Sequence, residues 1–341
     1  MKVIEVCGSP LQIGRSTGEA LRQEIRAHLE LFPPVGGSAW ERRRPALLAT
    51  LERDLPRVME EITGLAQGAD LPLEALLQLN LPMYCDELDP RDGGCTNIAF
   101  GAGPDGPVWG KNNDGGPPGD RRPACGRIIR RDGAIPAINF TFAGWVSTID
   151  GMNAEGLALG HSSVGSVFQQ SDHHPPVLLW AYEGLLACRT AEDFARHMAS
   201  VPTSGKGFAI LCVDASGAML SVEEACPLTQ VRRPPRGARH ANCVNCYQLP
   251  VLANADRRDP RGKANALKRQ AFIEDYLDAE TVLDAAAMRR LLRHHGDVSI
   301  CRHGGEEVSH TEYSMIGLPG QGRLLLADGY PCGAQYEAFR L

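Results

Sequence analysis

One cysteine follows a pair of glycines directly, in the run Asp92–Asn97 (DGGCTN). Glycine allows unusual backbone angles and close approach, so the Cys95 thiol could attack the carbonyl carbon of Gly94. The acyl group would move from nitrogen to sulfur, and hydrolysis of the thioester would make Cys95 a new N-terminus. Its α-amino group, with an ordinary pKa of about 7.7–8.0, would be a suitable general base for its own thiol. A buried structural cysteine that opens a strand after a glycine turn fits this segment equally well.

The sequence on the two sides of this cysteine differs in its apolar pattern. Before it, apolar residues recur at helical spacing, which predicts helices over Thr17–Phe32, from Arg44 to about Leu65, and over Leu73–Leu79. After it, short apolar runs predict strands. These strands are Thr96–Phe100, Val108–Gly110, Ile135–Phe142, Leu157–Gly160, Phe208–Val213, Met219–Val222, Tyr313–Gly317 and Arg323–Leu326. Helices are predicted again at Pro176–Ala187, Ala191–Ala199, Ala264–Leu277 and Ala285–His295. Such an order predicts sheets covered by helices, an α+β layered fold.

Composition excludes some classes of function. The chain has 341 residues, 43% of them hydrophobic, so it can bury a large core, and its net charge of −6 gives no electrostatic footprint for nucleic acid. No apolar run approaches the roughly 18 residues of a membrane span, and the first ten residues lack a signal-peptide pattern. A cytoplasmic location is the default expectation, in which the 11 cysteines would stay reduced.

Six short motifs follow one another along most of the chain. They are Gly8–Gly18 (GSPLQIGRSTG), Asp92–Thr96 (DGGCT), Gly110–Asp114 (GKNND), Gly151–Leu157 (GMNAEGL), His240–Asn242 (HAN) and Asp328–Cys332 (DGYPC). In type and order they resemble the motifs of the isopenicillin-N acyltransferase family of N-terminal nucleophile hydrolases, relatives of penicillin V acylase and bile salt hydrolase. The resemblance implies a four-layer αββα sandwich. It also implies a helical leader, residues 1–94, that stays bound as a small subunit after cleavage between Gly94 and Cys95, and a catalytic segment, residues 95–341.

The same resemblance implies the catalytic residues. Cys95 would be the nucleophile, and Asp114 would orient its new α-ammonium group and hold its protonation state. Two antiparallel strands joined by the turn at Gly101–Pro107 would bring these two residues together. Asn242 would donate an amide N–H to the oxyanion. The pattern Asp114–Gly115 alone would equally suit a hairpin turn.

Further residues are predicted to bind substrate: Asn112, Trp145, His161, Ser162 and Arg302. Of these, His161 or Ser162 would give a second oxyanion contact, Trp145 would line an acyl pocket, and Arg302 would match an arginine of the relatives. The chain departs from the family pattern at Gly93, an extra glycine, and at Asn97, where a hydroxyl is expected. The efficiency of self-cleavage is therefore open.

The predicted reaction is hydrolysis of a linear amide or N-acyl amino compound through a thioester, without cofactor or metal. Acyl transfer from an acyl-CoA thioester is the alternative at the same site. Two readings of another class are a ligand-binding protein without catalysis and a zinc protein. The zinc set would be His240, Cys243 and Cys246 with Cys301, His303 and His310. The expected partners are the small-molecule substrate and the leader fragment, and a homo-oligomer is left open.

Overall fold

The computed structural model describes residues 1–34, 37–81, 94–116, 121–304 and 309–341. Asp92 and Gly93, the first part of the predicted cleavage motif, lie outside the described residues. Gly94 and Cys95 lie within them. Among these described ranges, no helix combines the length and the apolar character of a membrane span.

Helices dominate the chain before Cys95. They are α1 (Pro10–Ala20), α2 (Arg22–Leu31), α3 (Ser38–Asp54), α4 (Pro56–Ala69) and α5 (Leu73–Asn80). Ser9 starts α1 with a capping box, because its side chain accepts from the Gln12 backbone N–H while the Gln12 side chain accepts from the Ser9 backbone. The predicted single helix from Arg44 to Leu65 is two helices, since Pro56 is suited to the first turn of a helix and not to its interior.

The later helices and the strands alternate along the rest of the chain. The helices are α6 (Val177–Ala187), α7 (Ala191–Met198), α8 (Pro260–Ala279) and α9 (Ala285–Leu292). The strands are β1 (Lys2–Gly8), β2 (Thr96–Phe100), β3 (Val108–Gly115), β4 (Ala124–Arg131), β5 (Ala137–Phe142), β6 (Asp150–Asn153), β7 (Ala158–Ser163), β8 (Phe208–Val213), β9 (Met219–Ala225), β10 (Leu228–Arg232), β11 (His240–Cys243), β12 (His310–Leu318), β13 (Arg323–Asp328) and β14 (Glu337–Arg340).

The strands form two sheets that face each other. One has eight strands in the order β1-β4-β5-β6-β7-β8-β9-β10, and the other has six in the order β11-β2-β3-β12-β13-β14. Strands β2 and β11 contact β8 across the interface, while α8 and α9 cover the outer face of the six-stranded sheet. Helices α1, α6 and α7 contact strands of the eight-stranded sheet. This confirms the predicted α+β sandwich of two sheets between helical layers.

The segment before Cys95 is integrated into these layers. Strand β1 pairs in parallel with β4 at the edge of the eight-stranded sheet. Helices α1 and α4 approach so closely that a Cβ at Gly14 would overlap the carbonyl oxygen of Glu61, and one at Gly64 would overlap that of Leu11. Glycine at these positions therefore permits the helix contact.

A buried ion pair joins that segment to the rest. Glu61 of α4 lies 2.7 Å from Nη1 of Arg127 in β4, and both side chains are 1% exposed. The Tyr182 hydroxyl of α6 donates to the same carboxylate at 3.1–3.2 Å. Three elements thus share one buried charge cluster.

Buried His28 makes stability depend on pH. Its Nδ1 bonds the carbonyl oxygen of Ala143 at 2.6 Å, while Nε2 has no hydrogen-bond partner among the described residues. Burial lowers the pKa of His28 to about 4, and the positive charge of Arg122 lowers it further. The hydrogen bond to Ala143 raises the pKa but does not offset these two effects.

We expect acidification to weaken the fold through His28. The unfolded imidazole takes a proton near its ordinary pKa of about 6.5, whereas the folded one does so only near pH 4. Between these values the free energy of unfolding should fall by about 3 kcal/mol from this residue alone. Urea unfolding of wild type and His28→Gln at pH 7 and pH 4 measures the effect as the difference between their pH dependences. Equal pH dependences would contradict it.

Candidate active site

Cys95 lies just ahead of β2, at a cleft lined by residues of both sheets. Its Sγ is 3.8 Å from Oδ1 of Asn113 and 3.8 Å from the backbone oxygen of Asp114, 19 positions along the chain. Cys95 and Asp114 lie close together because β2 and β3 form an antiparallel hairpin. Burial raises the pKa of the Cys95 thiol, Lys111 lowers it and Asp114 raises it. The thiol is therefore protonated at neutral pH and requires a base to become a nucleophile.

The carboxylate of Asp114 is buried beside this thiol. Its Oδ1 accepts a hydrogen bond of 2.7 Å from the Thr311 hydroxyl, and its Oδ2 has no hydrogen-bond partner among the described residues. Burial raises the pKa of Asp114 to about 6, although the charge of Arg302 and the Thr311 bond lower it. One buried acceptor thus remains available for a donor.

The wall around Gly94 leaves no room for a side chain. A Cβ at this position would lie 2.5 Å from Nη1 of Arg302, 2.5 Å from Oγ of Ser309 and 2.7 Å from Cβ of Asp114. The Asp114 Cβ is part of the hairpin and cannot move aside as a flexible side-chain end can. The residue before Cys95 is therefore restricted to glycine by space.

Arg269 of α8 holds the backbone on both sides of the Gly94–Cys95 bond. Its Nη1 donates to the carbonyl oxygens of Gly94 at 2.9 Å and of Cys95 at 3.0 Å. Burial lowers the pKa of Arg269 to about 10, which leaves it charged at neutral pH. The sequence did not lead us to this residue. The feature that could have indicated it is its position in the buried apolar stripe of α8, between Ala266 and Ile273.

Asn242 and Cys95 are not brought together. Asn242 pairs with Ile98, whose side chain belongs to the apolar cluster beneath α8 and α9. Its Nδ2 lies 3.5 Å from the Glu274 carboxylate of α8, and its Oδ1 accepts from Gln248 at 3.1 Å. Because side chains alternate between the faces of a strand, Asn242 faces the helices. The prediction of Asn242 as oxyanion donor does not fit this geometry.

Asn245, three residues further, is linked to Cys95 through Arg269. It is fully buried, its Oδ1 accepts from Nη2 of Arg269 at 2.7 Å, and its Nδ2 donates to the carbonyl oxygen of Ser163 at 2.7 Å. The other guanidinium nitrogen of Arg269 contacts the Cys95 backbone. Asn245 is thus the amide that this segment places next to the site.

A buried charge cluster lies behind the cleft, which only its His161 lines. Nζ of Lys111 lies 2.8 Å from Oδ1 of Asp150, which also lies 2.9 Å from Nδ1 of His161. Burial raises the pKa of Asp150, but His161 and Lys111 outweigh it and the net pKa is lowered. Burial lowers the pKa of His161 despite the Asp150 charge. The cluster therefore contains an ion pair between Asp150 and Lys111 beside an imidazole whose pKa lies below its ordinary value.

The other residues predicted to bind substrate divide into two groups. Trp145 and His161 line the cleft, and Arg302 lies against Gly94. Asn112 does not reach the cleft: its Nδ2 donates to the carbonyl oxygens of Leu292 and Ile300, at 2.9 and 2.8 Å, on the helix side of the sheet. The prediction for Asn112 is therefore wrong, because alternation along β3 turns it away from the cleft.

Ser162 and Asn97 join the two sheets beside the cleft. Nδ2 of Asn97 donates to Oγ of Ser162 at 2.8 Å and to the carbonyl oxygen of His161 at 3.0 Å. Oγ of Ser162 lies 3.4 Å from the carbonyl oxygen of Cys95. Ser162 thus contacts the backbone of Cys95, and Asn97 holds a contact between the sheets where the resemblance led us to expect a hydroxyl.

The cleft has an aromatic wall and several charged groups. Phe142, Trp145 and Phe208 line it. Arg122 and Lys206 add positive charge, and Glu312 adds a carboxyl group whose pKa is raised to about 7 by burial. An apolar group could lie on the aromatic wall while an anionic group meets the cations.

The structure does not bring the six residues of the predicted zinc set together as one site, although Cys301 and His303 lie 3.5 Å apart. His240 contacts Asp278, the Cys243 thiol lies between the sheets at 3.5 Å from the carbonyl oxygen of Ala209, and the Cys246 thiol contacts Gln270. None of these three belongs to the group of metal-ligand side chains that the described ranges do contain, which includes Cys301 and His303.

No family model matches the chain, and no curated protein matches it. Among solved structures, it is similar to a Caenorhabditis elegans N-acylethanolamine-hydrolyzing acid amidase ortholog (13% identity, TM-score 0.47, 72% of this chain and 100% of that one). It is also similar to penicillin V acylase from Agrobacterium tumefaciens (14%, 0.47, 72% and 86%) and to a single-residue variant of conjugated bile acid hydrolase from Clostridium perfringens (13%, 0.48, 72% and 97%). Each TM-score is below 0.5, so the functional proposals depend on the residues of this chain.

Proposed function

We propose that the protein is a self-processing amidohydrolase with Cys95 as its N-terminal nucleophile. The observation that supports this most directly is the buried Asp114 carboxylate, whose Oδ2 has no hydrogen-bond partner among the described residues. Leaving a buried acceptor unpaired costs free energy. Cleavage between Gly94 and Cys95 would create an α-ammonium group beside this carboxylate. That group would supply the missing donor, and the carboxylate would orient it.

Self-cleavage would begin with attack of the Cys95 sulfur on the carbonyl carbon of Gly94. The C–N bond breaks as the C–S bond forms, and the Cys95 nitrogen takes the thiol proton and becomes an amine. Water then hydrolyses the thioester, restoring the thiol and leaving a carboxylate on Gly94. Arg269, which donates to the Gly94 carbonyl oxygen at 2.9 Å, would stabilise the negative charge that develops there.

Turnover would use the same thiol on a second carbonyl. The free amine of Cys95 accepts the thiol proton, and the sulfur attacks the substrate amide to form an acyl-enzyme thioester. The leaving amine takes up that proton, and water then releases the acid. We propose Asn245 in place of Asn242 as the amide donor to the oxyanion, because Asn245 lies against Arg269 and Asn242 faces the helices.

The cleft supports an N-acyl amino compound as the substrate class. The aromatic wall at Phe142, Trp145 and Phe208 suits an apolar acyl group, and Lys206 and Arg122 suit a carboxylate on the amine portion. Hydrolysis is favoured over transfer because water suffices to resolve the thioester. Acyl transfer from a coenzyme A thioester uses the same first step and is an outcome of the test below.

We expect purified wild-type protein to consist of two fragments, residues 1–94 and 95–341, that separate only on denaturation. Cys95→Ala should stay a single chain, because no sulfur can attack the Gly94 carbonyl. Intact-mass analysis under denaturing conditions measures both. The matched control is Cys212→Ala, which removes another buried thiol and should leave cleavage unchanged.

The reaction itself is tested by trapping the acyl-enzyme. Brief exposure of the mature protein to N-acyl amino acids should add the acyl mass to fragment 95–341, and the label should disappear on further incubation. Labelling by acyl-CoA alone would favour the transferase. An intact wild-type chain with amidase activity would disprove the mechanism.

A further inference from the structure

Four side chains that the proposed reaction does not use converge about the segment that carries Arg302. They are His295, Cys301, His303 and Cys332, and their possible ligand atoms all lie within 4.8 Å of one another. Cys332 belongs to the motif DGYPC, which the proposed function leaves without a role. Two thiols and two imidazoles form a donor set that suits zinc.

Two of the distances between these side chains are close to those of a tetrahedral site. Nε2 of His303 lies 3.5 Å from Sγ of Cys301 and 3.3 Å from Sγ of Cys332. With Zn–S near 2.3 Å and Zn–N near 2.0–2.1 Å, tetrahedral geometry separates sulfur and nitrogen ligands by about 3.6 Å. Both separations are therefore close to the edges of a zinc tetrahedron.

Three separate parts of the chain supply the four residues. His295 follows α9, Cys301 and His303 lie in the segment before β12, and Cys332 follows β13. Neighbouring contacts hold them: the His303 ring stacks on Tyr330 at 4.0 Å between centroids, and Nη2 of Arg293 donates to the carbonyl oxygen of Cys332 at 2.7 Å. Such contacts orient metal ligands.

We propose that His295, Cys301, His303 and Cys332 bind one structural zinc ion. Four protein ligands complete a tetrahedron, so no coordination position remains open for substrate or water. The ion would replace hydrogen-bond contacts among the four side chains with bonds that fix three segments of chain to one another. It would take up both cysteines as thiolates, releasing their protons.

The site would also position the candidate active site. Cys301 and His303 flank Arg302, whose backbone exchanges hydrogen bonds of 2.9 Å with the hydroxyl and the N–H of Thr311. The Thr311 hydroxyl donates to Oδ1 of Asp114 at 2.7 Å. Zinc would therefore hold the segment that supports the Asp114 carboxylate.

Metal analysis of untagged protein tests the proposal. Protein expressed with zinc and dialysed against metal-free buffer should retain one zinc per chain. Cys332→Ser and Cys301→Ser should each reduce the zinc content by roughly tenfold or more, because each removes a ligand. Cys246→Ser is the matched control, a buried thiol outside the cluster that should retain full zinc.

Two wild-type measurements keep the test decisive where a variant fails to fold. Cobalt added to metal-free wild-type protein should give the absorption of a tetrahedral thiolate site. A strong chelator should lower the Tm of wild type, and added zinc should restore it. A wild-type chain that binds neither metal, or one with a disulfide between Cys301 and Cys332 in its mass spectrum under non-reducing conditions, would overturn the proposal. These readouts do not depend on amidase activity, so failure of the proposed function would leave them unaffected.

Discussion

If Asn245 is the oxyanion donor that we propose, its replacement by alanine should lower kcat by about 10²–10³-fold, the usual loss for one such donor, while Asn242→Ala should retain activity within a few fold. We expect this contrast because Asn242 and Asn245 belong to one segment but face different neighbours. Asn245 accepts a hydrogen bond from Arg269, which also bonds the backbone of Cys95. Asn242 contacts Glu274 and Gln248 instead. The two substitutions remove the same chemical group three residues apart.

The measurement is kcat on processed enzyme, with the concentration of active Cys95 determined by acyl-enzyme titration. Counting active sites is necessary because Asn245→Ala also removes hydrogen bonds to Arg269 and Ser163 and could slow self-cleavage. Tm values of both variants report any loss of folding. A large loss in Asn242→Ala with an active Asn245→Ala would restore the residue expected from the sequence and contradict the placement of the donor at Asn245.

Glu61→Ala is expected to lower the free energy of unfolding by about 3–5 kcal/mol, because it leaves the Arg127 guanidinium buried without its charge partner. The two groups are 2.7 Å apart and each is 1% exposed. The loss should exceed that of a surface pair such as Arg15–Glu19, where Glu19→Ala should cost no more than about 1 kcal/mol.

A double variant separates the charge from the packing. Glu61→Leu combined with Arg127→Met removes both charges and keeps apolar volume, so it should recover most of the stability lost in Glu61→Ala. Urea unfolding followed by circular dichroism gives all the values. If Glu61→Ala were no less stable than Glu19→Ala, the ion pair would not hold α4 to β4 as we describe.

The sequence predicted strands well where their apolar residues form an unbroken run. The strands expected at Thr96–Phe100 and Phe208–Val213 are confirmed with those bounds. Strand β4 was not predicted: its sequence, ACGRIIRR, has no long apolar run, because Arg127, Arg130 and Arg131 interrupt it. Arg127 and Arg131 are buried against carboxylates of distant helices, Glu61 and Glu183. Such pairing is a tertiary effect that no local pattern reports.

The candidate site shows the same limit. The motif His240–Asn242 led us to a segment near Cys95, but the face on which Asn242 lies depends on strand register, which places it toward the helices. Arg269 escaped notice because a single arginine in an amphipathic helix is ordinary. The cysteines and histidines of the zinc proposal come from three segments, and the spacing in the sequence favoured a different set.

The parallel pairing of β1 with β4 affects how the two proposed fragments, residues 1–94 and 95–341, could be produced. Residues 95–341 produced alone would present the whole of β4 as an open edge, a template for pairing with other chains. The same fragment would expose the surface that α1 and α4 cover. The segment before Cys95 would therefore protect this edge from aggregation even after cleavage. We expect the two fragments to be soluble only when they are synthesised together.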